Sequence, residues 1–135
     1  MQRRTFLILT TAAMLASPAA YAAEPAVYSA ELVAAELAGG KTVLIDFSAS
    51  WCPSCQAQGR ALEALRTENP VYDAAITFVE ADWDTYKDSA LAAQYGINHR
   101  GSLLVLRGDA VVVQTSTHAT KDGLKAMLDQ VAAGA

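Results

Sequence analysis

The chain's two cysteines stand two residues apart, in Trp51-Cys52-Pro53-Ser54-Cys55. The motif follows the apolar run Thr42-Val43-Leu44-Ile45-Asp46-Phe47 and opens a stretch that reads as a helix, with Pro53 in the first turn where proline is tolerated. Local order is therefore strand, thiol turn, helix. A helix start stabilises a thiolate, and two thiols at this spacing can close a small disulfide ring and reopen it. A structural disulfide gains more from closing a long loop. The pair points to electron-pair exchange with other thiols.

Residues before the domain read as an export signal. Met1-Gln2-Arg3-Arg4 is basic and Phe6 to Ala16 is mostly apolar, too short for a membrane-spanning helix of about 20 residues. Ser17-Pro18 breaks the stretch, and Ala20-Tyr21-Ala22 is a small-x-small cleavage pattern. Arg3-Arg4-Thr5-Phe6-Leu7 also resembles a twin-arginine signal, so Tat and Sec export both stay open. The expected division is a signal peptide over 1–22 and one domain over 23–135. Cutting 22 of 135 residues leaves 113, enough for one small core. It removes two of ten basic residues and none of fourteen acidic ones, moving the formal charge from −4 to −6. An acidic domain without a basic stripe argues against nucleic acid as partner. The expected location is periplasmic and soluble, where disulfides form and persist.

Along the chain, Ser29 caps a helix from Ala30 to Ala38 that Gly39-Gly40 stops. Thr42 to Ser48 reads as a buried strand, Pro53 to Glu68 as a helix, and Ile76 to Ala81 as a second strand. Tyr86 to Tyr95 reads as a helix closed by Gly96. Strands Leu103 to Leu106 and Ala110 to Gln114 form a hairpin through Arg107-Gly108-Asp109. Thr120 caps a last helix from Lys121 to about Ala132. The order α-β-α-β-α-β-β-α gives an α/β fold, a mixed sheet with helices on both faces.

This order, with Trp51-Cys52-Pro53-Ser54-Cys55 after Val43-Leu44-Ile45-Asp46-Phe47, resembles the thioredoxin family. The match continues through Tyr95-Gly96-Ile97, the Leu103 to Val113 hairpin and Leu124-Lys125-Ala126-Met127-Leu128-Asp129. The resemblance implies a thiol–disulfide oxidoreductase without a dissociable cofactor, working on client proteins with thiols or disulfides or with a membrane electron donor or acceptor, as a monomer. It implies an exposed nucleophile at Cys52, a resolving thiol at Cys55 and a buried Asp46 that handles the proton of Cys55. Trp51 would wall the site, Pro53 and Ser54 would tune its potential to a moderate value, and the loop Arg100-Gly101-Ser102 would meet substrate beside the disulfide.

Three positions depart from the family. Gly101 stands where thioredoxins carry a cis-proline, so this loop is expected to be trans with Gly101 supplying unusual backbone angles. Glu80 stands where a lysine is common, and would raise the Asp46 pKa if both are buried. Arg60 replaces a kinking proline, with Gly59 beside it as an alternative source of a bend. His99, two residues before Gly101, reads chiefly as a solvated loop residue, and His118 as ordinary surface. The leading reading assigns no metal. The alternative is a Cu(I) or other soft-metal module using Cys52, Cys55 and His99, with the missing proline opening the space.

Overall fold

The computed structural model describes residues 22–135. The export-signal residues 1–21 lie outside them. Eleven elements follow in the described chain: β1 (Ala26–Val27), α1 (Ala30–Ala38), β2 (Thr42–Ser48), α2 (Pro53–Glu68), α3 (Val71–Ala75), β3 (Ile76–Asp82), α4 (Trp83–Tyr86), α5 (Ala90–Tyr95), β4 (Leu103–Arg107), β5 (Ala110–Gln114) and α6 (Lys121–Ala133). The strands form one mixed sheet in the order β1-β3-β2-β4-β5. β2 runs parallel to β3 and antiparallel to β4, and β4 and β5 make the expected hairpin.

The central strand β2 is buried along its whole length. Side chains alternate across a strand, and β2 sorts its residues accordingly. Val43, Ile45 and Phe47 join Val33 of α1 and Ala92 of α5 on one face. Leu44 packs on the other face with Leu62 and Leu65 of α2 and Leu124, Leu128 and Val131 of α6. Asp46 has the same parity as Leu44, so the strand delivers its carboxyl to the α2 face.

Three local features depart from the expectation. The segment expected as a lead-in pairs with β3 as a short parallel strand. The turn after Asn69-Pro70 forms α3, whose Tyr72 is buried and donates its hydroxyl to Asp129 of α6. The helix expected over Tyr86 to Tyr95 is two helices. Asp82 accepts from Thr85 N at 2.9 Å to start α4, and Ser89 accepts from Ala92 N at 3.2 Å to start α5. Each cap ends one backbone path and begins another, so the segment bends at Lys87–Ser89. Among the described residues no helix is long and apolar enough to cross a membrane.

Candidate active site

Strand β2 ends at Ser48, and the turn that follows places Cys52 at the N-cap of α2. Its Sγ accepts a hydrogen bond from Cys55 N at 3.3 Å, the contact an N-cap acceptor makes with the third helical residue. Pro53 sits in the first turn, where no intrahelical N–H is missed. Cys55 lies one turn on, facing inward and fully buried. Both cysteines are free thiols. Cys52, expected to be exposed, is only 1% accessible. Ser54 Oγ at 3.9 Å and His118 Nε2 at 3.8 Å flank its sulfur.

The two thiols are set far apart in acidity. Burial raises the Cys52 pKa, but hydrogen bonds from Cys55, from the Cys55 backbone N–H, from His118 and from Arg100 outweigh it and bring the thiol down to about 6. Burial, together with the hydrogen bond to Cys52, pushes Cys55 up to about 11. One sulfur is therefore a thiolate at neutral pH and the other holds its proton, the division that nucleophile and resolving thiol need.

His118 is a surface residue only in the sequence. Its Nε2 lies 3.4 Å from Cys55 Sγ and 3.8 Å from Cys52 Sγ. The ring is there because residue 101 has no side chain: an ideal β-carbon on Gly101 would fall 2.3 Å from His118 Cδ2 and 2.4 Å from Nε2. Gly101 adopts φ of +82°, a left-handed value that glycine takes without strain. Among the described residues no peptide bond is cis. The proline position of the resembled family is thus filled by an imidazole from the segment before α6.

A buried amide ties this arrangement together. Gln58, one turn beyond Cys55 on α2, is 2% exposed. Its Nε2 donates to Gly101 O at 3.0 Å and to Asp46 Oδ1 at 3.4 Å, while its Oε1 accepts from Ala119 N at 2.9 Å. One side chain thereby links β2, the Gly101 loop and the residue after His118. Sequence reasoning missed Gln58. Its signal was available: Cys55, Gln58, Leu62 and Leu65 share the buried stripe of α2, and a polar residue in such a stripe must find partners.

Asp46 is 6% exposed. Burial raises its carboxyl pKa to about 7, helped by the charge of Glu80 and opposed by the Gln58 hydrogen bond. Glu80 pairs with Asp46 in the β2–β3 register but is itself exposed, so it acts on Asp46 from the solvent side. A cleft of about 590 Å³ lined by Asp46, Glu80, Gln56 and Arg60 reaches this end of the sheet. Asp46 can therefore take up and release a proton near neutral pH.

The remaining expected residues divide. Trp51 is 55% exposed beside the thiols, its Nε1 donating to Asp84 Oδ2 at 2.7 Å. Arg100 lies over that indole, 5.1 Å from the ring centroid, and Pro53 is exposed at the same edge. These three share one edge beside the thiols. Gly101 and Ser102 are buried behind it. Gly101 N donates to Phe47 O at 2.7 Å, and Ser102 Oγ donates to His99 O at 2.6 Å, so both shape the loop from inside. His99, the histidine of the alternative metal set, is exposed, and its Nδ1 lies 2.6 Å from Arg100 O. The histidine grouped with Cys52 and Cys55 is His118.

Comparison with known proteins bears on the fold and the cysteine motif. The family model for Thioredoxin matches residues 25–130. Thioredoxin C-2 of Corynebacterium nephridii is 34% identical over 88 residues, 65% of this chain and 77% of that protein. A thioredoxin of Chlorobaculum thiosulfatiphilum is 30% identical over 94 residues, covering 70% and 82% of the two chains. Among solved structures, Trxlp from Edwardsiella tarda superposes with a TM-score of 0.66 at 27% identity, over 76% of this chain and 98% of that one. The thioredoxin of Malassezia sympodialis shares the fold with a TM-score of 0.69 at 24% identity, over 84% and 95%.

Proposed function

This chain belongs to the thioredoxin family, and we propose that it is an exported member acting on protein thiols or disulfides in the periplasm. Thioredoxins are thiol–disulfide oxidoreductases that work through their own cysteines without a cofactor, and Cys52 and Cys55 are that pair here. The observation that carries the proposal is the thiol pair itself, with Cys52 Sγ capping α2 through Cys55 N at 3.3 Å and Cys55 buried within the same helix turn. The Cys52 thiolate attacks a client disulfide and forms a mixed disulfide. Cys55 gives its proton to Asp46 or His118, attacks Cys52 Sγ and releases the reduced client. A membrane thiol donor then regenerates the dithiol.

The N-terminal pattern Met1 to Ala22 supports export. The lowered pKa of Cys52 supports its role as the attacking thiol. The experiment is trapping. A Cys55→Ala variant expressed with its N-terminal segment should accumulate mixed disulfides on Cys52 in the periplasmic fraction, its N-terminus beginning after Ala22. Mixed disulfides confined to the cytosol on an uncleaved chain defeat the export reading. No mixed disulfides, with no insulin reduction by the unaltered protein, defeat the exchange reading.

A further inference from the structure

We propose that the reduced Cys52–Cys55 pair and His118 form a binding site for one Cu(I) ion. The three ligand atoms, two Sγ and one Nε2, all lie within 4.8 Å of one another. The two S···N separations are 3.4 and 3.8 Å. An ion held in a plane by three bonds of about 2.2 Å spaces its ligands by about 3.8 Å, close to both S···N separations, and the S···S separation, at most 4.8 Å, reaches it by a closure of up to about 1 Å. The donor set selects the ion. Two thiolates and an imidazole are soft to borderline ligands suited to Cu(I), whereas structural Zn(II) takes four. Among the described residues the grouping holds three such side chains.

The surroundings hold the third ligand in place. The imidazole fills the space that any β-carbon at position 101 would need. Gln58 fixes the backbone directly after His118 through its bond to Ala119 N, and the His99 and His118 rings pack edge to face with centroids 5.9 Å apart. These contacts limit the freedom of the ring to leave the sulfurs. Binding forms two Cu–S bonds and one Cu–N bond and releases to buffer the protons that the two thiols hold, with no electron transferred. Disulfide formation consumes both sulfur ligands, so the site belongs to the dithiol form alone. It needs the two free thiols but not disulfide turnover, so it stands apart from the proposed function.

The test uses the full chain, reduced and kept anaerobic, with Cu(I) supplied from a bicinchoninate complex. The expected result is one Cu(I) per chain, X-ray absorption fitting two sulfurs and one nitrogen, and a loss of affinity of tenfold or more in His118→Ala. His99→Ala should weaken binding less than His118→Ala does, because it removes a ring that packs on the ligand and not the ligand itself. Failure to take Cu(I) from the competitor overturns the proposal. So does a sulfur-only copper site in the unaltered protein, which is read without any variant. Equal affinity in a His118→Ala protein with unchanged circular dichroism overturns it as well, as does Zn(II) displacing Cu(I) at equal concentration. Insulin reduction measured alongside separates the readings: copper binding without turnover keeps this site and removes the exchange function, and turnover without copper does the reverse.

Discussion

The His118 ring stands where a side chain on Gly101 would begin, its Cδ2 2.3 Å from the ideal β-carbon position. The pairing works in both directions. The absence of a side chain at 101 admits the imidazole, and the imidazole closes the gap beside two buried sulfurs.

Replacing Gly101 with alanine should therefore do two things together. The left-handed φ of +82° costs a non-glycine residue about 1–2 kcal/mol, and the new methyl group must push the ring away. Thermal unfolding should show the stability loss, and Cys52 titration should move upward as the His118 hydrogen bond is lost. An unchanged Cys52 titration in a destabilised protein would show that the ring does not hold the thiolate.

The Cys52 thiolate sets a pH profile. Alkylation of the reduced protein should be nearly flat above pH 7 and fall about tenfold for each pH unit below 6, the value at which Cys52 titrates. Its folded pKa lies below the ordinary thiol value of 9.0, so its contribution to stability is full above 9 and is lost as pH falls through about 6. Cys55 has the opposite sign: its contribution is full below 9.0 and is lost as pH rises through about 11. Denaturant unfolding of the reduced protein across this range, compared with a Cys52→Ser variant, measures the first contribution. A midpoint of alkylation near 9 would refute the assignment of Cys52 as the activated thiol.

Asp46→Asn should stabilise the protein at neutral pH. The Asp46 pKa is raised, so the fold favours the protonated carboxyl; its contribution is present below 3.8 and lost as pH rises through about 7. An amide keeps the shape and cannot ionise. At about 1.4 kcal/mol for each pH unit between those values, the gain above pH 8 approaches ~4 kcal/mol and vanishes near pH 3. The same variant should slow client release from Cys52, because Cys55 loses one proton acceptor. Equal unfolding midpoints at pH 8 would show that Asp46 is not ionised at a cost in the fold.

Gln58→Leu should be costly for its size. It leaves Gly101 O and Ala119 N without the partners they have now, at about 1–3 kcal/mol for each buried group. It also removes the hydrogen bond that opposes the rise in Asp46, so that carboxyl should titrate higher still. Carbon-13 titration of the Asp46 carboxyl checks this independently of stability. A lower Asp46 pKa in the variant would contradict the bond.

The fold was legible where one physical rule decided each segment. The apolar Thr42–Ser48 run, the Gly108 turn of the hairpin and the Ser29 and Thr120 caps all act locally, and the structure follows them. The working thiols were legible because their chemistry lies within one helix turn. His118 was not, because its contact with Cys55 spans 63 positions and arises only when α6 packs on α2. Nothing in His-Ala-Thr announces that placement. Gln58 was half legible, as a polar residue in an apolar stripe whose partners come from distant loops. The α4–α5 break was fully legible in Asp82-x-x-Thr85 and Ser89, had the caps been weighed above the apolar pattern.

The bond between Gln58 and Ala119, 61 positions apart, has a consequence for the time at which chemistry appears. A growing chain presents Cys52 and Cys55 well before it presents His118. At about 5–20 residues per second, the delay is roughly 3–12 seconds. Over that interval the two sulfurs exist without their imidazole, their amide brace or the helix that seals them. The finished surroundings of the two sulfurs are thus a product of late synthesis, completed only when the segment before the last helix arrives.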